Sequence, residues 1–149
     1  MERLQFKITI KADAEKVYHS MLGEETFKEW TSIFNPSSRY DGNWDKDSKI
    51  RFIGESKEGK QEGMVGIVRE NKPFDFVSVE YIAVVDGDTE LSEGPGVEEW
   101  LNTFENYTFE ESNGHTTVTV DIDMNDEMIA YFNEKYPEAL NKLKEICER

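Results

Sequence analysis

A single cysteine, Cys147, means that no disulfide can close within the chain, and a reducing cytoplasm is the compartment that fits. Only two imidazoles are present, His19 and His115, and they are not at metal-ligand spacing; His115 reads as a solvated residue of the Asn113-Gly114 turn and His19 as an exposed or edge-packed helix residue, so neither is expected to activate a serine or cysteine nucleophile. Basic residues are also scarce: 17 Lys and Arg stand against 32 Asp and Glu, for a formal net charge of -15. The acids are spread along the whole chain. Such a field repels phosphate backbones and anionic membranes, so neither nucleic acid nor membrane is expected as a partner. No apolar run is long enough to span a bilayer, and the opening "MERLQFKITI" does not read as a signal peptide.

What remains is the composition of a folded domain. Over 149 residues, 37% are hydrophobic and 12% aromatic, enough for one core and against disorder. We expect a single domain over residues 1–149, without internal repeat or linker.

Periodicity places the elements. Leu4, Phe6, Ile8 and Ile10 alternate with Gln5, Lys7 and Thr9, which predicts a strand with one buried face. Asp13 can cap a short helix reaching Leu22; Gly23 ends it, and a second short helix, Glu24 to Trp30, sets Phe27 and Trp30 on one side. Strands follow near 38–40, 48–54, 61–70 and 74–85, then 98–110 and 116–124, the last pair joined through Asn113-Gly114. From Asp126 to Glu148 the apolar spacing becomes helical, with Met128, Phe132, Tyr136, Ala139, Leu140, Leu143 and Cys147 in one stripe. Pro137 predicts a kink or break near Tyr136. An α+β fold results: a curved antiparallel sheet of about six to seven strands buries one face by wrapping around the long C-terminal helix.

Three stretches carry a resemblance to a known family. They are Phe27 and Trp30 followed by "DGNWDKDSKIRF"; "FDFVSVEY" followed by Asp86-Gly87; and "WLNTFENYTFEESNGHTTVTVDIDM" with the terminal "YFNEKYPEALNKLKEICE". In order and spacing the chain resembles the START-like (SRPBCC) superfamily, and within it the branch named after the C-terminal domain of the activator of the ninety-kilodalton heat-shock protein ATPase. The resemblance implies a helix-grip fold. Asp47 stands where that pattern has glycine, and a positive φ there is open to aspartate at modest cost.

A sheet gripping a helix commonly leaves space between them for an apolar ligand. Candidate wall residues are Met21, Phe27, Trp30, Phe52, Met64, Trp100, Phe104, Tyr107, Met128, Phe132 and Tyr136. The same side chains could instead fill the core against one another. Trp44 either closes the gap between the sheet and the short helices or lines a pocket mouth, which would lie among Trp30, Trp44, the Gly94-Pro95-Gly96 loop and the start of the last helix. Glu80 is either a buried acid on the inner face, needing Arg51 or Arg69 as partner, or a solvated residue with Tyr81 inward.

No catalytic set, metal site or cofactor motif emerges, and a noncatalytic binding domain for a small hydrophobic or amphipathic molecule is the expectation. A cochaperone-like domain with a chaperone or other protein partner is one alternative; an enzyme akin to the cyclases or hydrolases of the superfamily is another. A monomer is expected.

Overall fold

The computed structural model describes all residues, Met1–Arg149. Its elements run β1 (Glu2–Ile10), α1 (Ala14–Leu22), α2 (Glu24–Thr31), β2 (Arg39–Gly42), β3 (Lys49–Glu55), β4 (Gln61–Lys72), β5 (Phe76–Asp86), β6 (Thr89–Leu91), β7 (Phe104–Ser112), β8 (His115–Met124) and α3 (Ile129–Glu148). All strands pair antiparallel in the order β1-β8-β7-β5-β4-β3-β2, with β6 on β5, so the sheet has eight strands. Alternation makes the sheet one-sided. Along β1 and β8 the outward residues meet in register, with Gln5 donating to Asp121 at 2.9 Å and the Thr9 and Thr117 hydroxyls 3.0 Å apart.

The inward residues of β1 meet α3, whose stripe of Tyr136, Ala139, Leu140, Leu143, Ile146 and Cys147 is buried. Phe6 stacks on Tyr136 with ring centroids 4.9 Å apart. Burying each large apolar side chain such as Leu140 or Leu143 contributes about 1.5–3 kcal/mol. The break predicted at Pro137 is absent, and α3 continues through it. Both Pro137 and Asn133, whose carbonyl loses its i+4 donor, lie on the exposed side, where water can satisfy that carbonyl. The helix also begins later than its apolar stripe suggested: the Asn125 side chain accepts from the Met128 amide at 3.1 Å, and the first helical residue is Ile129.

Two irregularities shape the sheet. Between β4 and β5 the register shifts at Val65/Gly66 and at Val68/Glu70, leaving Ile82 and Arg69 as extra residues. Val77, Val79 and Tyr81 therefore face α3, but beyond Ile82 the phase reverses and Val84 takes the inner side. Ala83 and Val85 instead join Ile53 and Val65 in a small apolar cluster on the outer face. The segment expected as a strand from Glu98 starts as a single 3-10 turn, Glu98–Trp100, and β7 begins only at Phe104.

Trp44 sits in the turn after β2. Its ring packs 5.5 Å from Phe52, 5.6 Å from Tyr40, 6.3 Å from Tyr107 and 6.4 Å from Phe27, and its carbonyl accepts from Asn71 Nδ2 at 2.8 Å. That position closes one end of the gap between sheet and short helices. Asp47 adopts φ 72°, the left-handed conformation anticipated for a glycine-like position, and its amide donates to the Val68 carbonyl at 2.7 Å.

Candidate functional site

Between the concave sheet and α3 lies a cavity of about 690 Å³. Helix α2 contributes Phe27 and Trp30; β3 and β4 bring Phe52 and Met64; β5 and β7 bring Tyr81 and Tyr107; Trp100 enters from the 3-10 turn; Met128 and Phe132 come from the start of α3. A smaller recess of about 240 Å³ is shared with this wall and is backed by Ile122, Met124 and Tyr136. Nine of the residues singled out from the sequence thus line the space, counting Tyr136 in the recess.

The other four do not. Met21 is fully buried behind the wall, its carbonyl accepting from Trp30 Nε1 at 2.9 Å. Trp44 packs at the end of the sheet, away from the mouth. The mouth itself holds Gly96 and the start of α3, whereas Trp30, only 1% exposed, forms the floor. Glu80 lies on the outer face, where Arg69 Nε reaches its Oε1 at 2.8 Å, because Tyr81 is the inward residue. Phe104 pairs with Glu80 across β5 and β7 and shares that outer face. Phe104 and Tyr107 are three apart, and a regular strand cannot turn both inward.

The residue in phase with Tyr107 is Glu105, which points into the cavity. Three phenols converge on its carboxylate. Tyr107 donates to Oε2 at 2.9 Å and Tyr136 to Oε2 at 2.6 Å, while Tyr81 donates to Oε1. Two strands and a helix meet at this one acid, so the hub ties β5, β7 and α3 together. Burial, and then the charge of Glu105, push the phenols of Tyr81, Tyr107 and Tyr136 well above their ordinary range. They remain protonated donors at neutral pH.

The arrangement suits binding. Apolar walls can supply area burial, and the Glu105 carboxylate, held at the junction of cavity and recess, can act as an acceptor that orients a ligand. No histidine or cysteine lines the space: His19 and His115 are exposed, and Cys147 is buried on α3 with its thiol pushed up by burial. No group of three or more His, Cys, Asp or Glu is placed to hold a metal ion, and no helix is long and apolar enough to cross a membrane.

Sequence reasoning missed Glu105 and left open whether Tyr81 faces inward. The signal was present at Tyr107: had its inward orientation been extended at period two, Glu105 would have followed. At Tyr81 the bulge at Ile82 hid the phase.

No protein-family model matches the chain, and no curated protein matches it in sequence. Solved structures do match it in three dimensions. The solution structure of an Aha1 dimer from Colwellia psychrerythraea is 21% identical, with a TM-score of 0.71 over 99% of this chain and 97% of that one. A protein from Nitrosomonas europaea is 14% identical with a TM-score of 0.73, over 98% of this chain and 94% of its own. DynU16, from the dynemicin biosynthetic locus, is 13% identical with a TM-score of 0.70; this chain, covered over 99%, spans 48% of it. Together with the sheet order and the gripped helix α3, these likenesses establish that the chain has a helix-grip fold.

Proposed function

We propose that this protein binds a small, largely apolar molecule, without catalysing its conversion, in the cavity between the sheet and α3. The observation that carries the reading is the Glu105 carboxylate, held by three phenols inside a wall of aromatic and methionine side chains. Cavities that hold drug-sized molecules measure about 300–1,000 Å³, and this one falls within that range at about 690 Å³. Met64 and Met128 can repack around differing shapes, which suits a site of broad tolerance.

The test uses a neutral apolar dye such as Nile red, whose emission shifts on leaving water. Saturable binding is expected with the native protein. The change Phe132→Ala enlarges the wall near the mouth and should alter dye affinity several-fold. Because Phe132 is only half-buried, its truncation should cost less than the roughly 3–5 kcal/mol typical of a fully buried phenylalanine. Loss of the folded state with no measurable dye binding in either form would sink the proposal.

A protein partner is the second reading, favoured by the fold shared with the Aha1 dimer and by the resemblance of the sequence to the chaperone-activator branch, to which we assign the chain on this reading. An acidic surface with net charge -15 would steer a basic partner. A pull-down with the ninety-kilodalton chaperone that recovers no salt-sensitive complex would retire it.

A further inference from the structure

Charge on the cavity wall is of one sign. Its charged residues are Glu62, Glu99, Glu105 and Glu127, and no Lys, Arg or His lines it. None of the four takes part in an ion pair within 4.0 Å. The basic side chains of the central strands are turned elsewhere: Arg51 and Lys49 reach Glu90, and Arg69 reaches Glu80. The recess adds Asp123, whose carboxylate is turned to Arg3 at 3.0 Å. A carboxylate placed in an apolar cavity is costly unless hydrogen-bonded or paired with opposite charge. At Glu105 the hydrogen bonds are present and the cation is not. A carboxylate offers about four acceptor positions, of which three phenols use three.

We infer that the ligand is an organic cation, an ammonium group carried on an apolar body. This rests on the binding reading of the cavity. The ammonium donates to Glu105 and completes the ion pair that the chain leaves open, while the part-exposed aromatic rings of Trp100 and Phe132 line the same space, side chains of the kind that accommodate an organic cation. Glu99 and Glu127 are exposed beside the opening, so the entrance attracts the same charge. An anionic ligand would meet four carboxylates and no counter-charge. A bare metal ion is disfavoured by the geometry, since no three ligating side chains converge.

Three matched probes decide the matter: 4-phenylbutylamine, 4-phenylbutan-1-ol and 4-phenylbutanoate, titrated by calorimetry at one ionic strength. The amine should bind at least about tenfold more tightly than the alcohol, as a charge-assisted hydrogen bond does relative to a neutral one, and the carboxylate should bind weakest. In Glu105→Gln the amine should fall to the affinity of the alcohol, with the alcohol little changed. The pair Glu99→Gln and Glu127→Gln, both at exposed positions, with the amide oxygen at 99 still able to accept from Asn125 Nδ2 as Glu99 does at 2.9 Å, should weaken only the amine and flatten its salt dependence. Equal affinities for amine and alcohol, or a preference for the carboxylate, would overturn the cation while leaving the cavity reading standing. Failure of all three probes to bind would overturn both.

Discussion

Replacing Tyr136 by phenylalanine removes one hydroxyl and nothing else. The ring keeps its stacking on Phe6 at 4.9 Å and its edge contact with Phe34 at 5.1 Å, so no cavity larger than an oxygen opens. What is lost is the 2.6 Å bond to Glu105 Oε2. A hydrogen bond to a charged group contributes about 1.5–3 kcal/mol. Tyr107 still donates to the same oxygen at 2.9 Å, so Oε2 is not orphaned and the lower part of that range applies, about 2 kcal/mol. With a urea m-value of about 1–3 kcal/mol/M, the midpoint should fall by roughly 1 M. On heating, Tm should drop by roughly 4–8 °C for a chain of this size. Tyr131 provides the comparison, since its hydroxyl donates to the neutral Phe34 carbonyl at 2.9 Å, a bond contributing about 0.5–1.5 kcal/mol. Tyr131→Phe should therefore cost less than Tyr136→Phe. A loss below about 0.5 kcal/mol for Tyr136→Phe, or equal losses for the two variants, would refute the claim that Glu105 organises the interior.

Alkaline titration offers a second check. The phenols of Tyr81, Tyr107 and Tyr136 have higher pKa values folded than unfolded, because burial first and Glu105 second disfavour the phenolate. The folded state therefore holds these protons more tightly: their contribution to stability is complete below about pH 10 and is lost as pH rises through the raised values. Of the six tyrosines, these three should ionise, by ultraviolet absorbance, only together with unfolding; their smooth titration in the folded protein would contradict this. Gly63 adopts φ 148°, and a Cβ there would lie 1.9 Å from the Phe52 carbonyl oxygen, so Gly63→Ala should destabilise by about 3 kcal/mol or more in urea unfolding, and a cost below about 1 kcal/mol would show that β3 and β4 can separate freely. Asp47→Gly should be neutral or stabilising by up to about 1 kcal/mol, since φ 72° strains any residue with a Cβ; a clear loss of stability would point instead to a role for the aspartate side chain.

How far the sequence reveals this structure depends on how regular each strand is. The period-two pattern of Val118, Val120, Ile122 and Met124 survives intact, because β8 pairs without interruption on both sides. Strand β5 is different: residues on both faces are apolar, and only the extra residue at Ile82 explains why Tyr81 and Val84 share the inner side. No local pattern announces a bulge whose cause is pairing with a distant strand. The aromatic wall was legible for a simpler reason, since Phe27, Trp30, Phe52 and Phe132 are large apolar residues that a small domain must enclose. Glu105 was not, because an acid in a strand reads as solvated until Tyr107 of its own strand, Tyr81 of β5 and Tyr136 of α3 are seen to surround it. β6 escaped notice because three residues, Thr89–Leu91, are too few for a period to show.

The central claim is that the space between sheet and helix takes up a small molecule. Its most direct test is a two-dimensional amide NMR titration of the native protein against varied apolar and amphipathic compounds, matched amines, alcohols and acids included. The account predicts saturable shifts centred on Trp30, Trp100, Glu105 and Phe132, with the outer-face residues Glu80 and Phe104 unmoved. An unchanged spectrum across the whole set, or shifts scattered over the acidic surface, would contradict it.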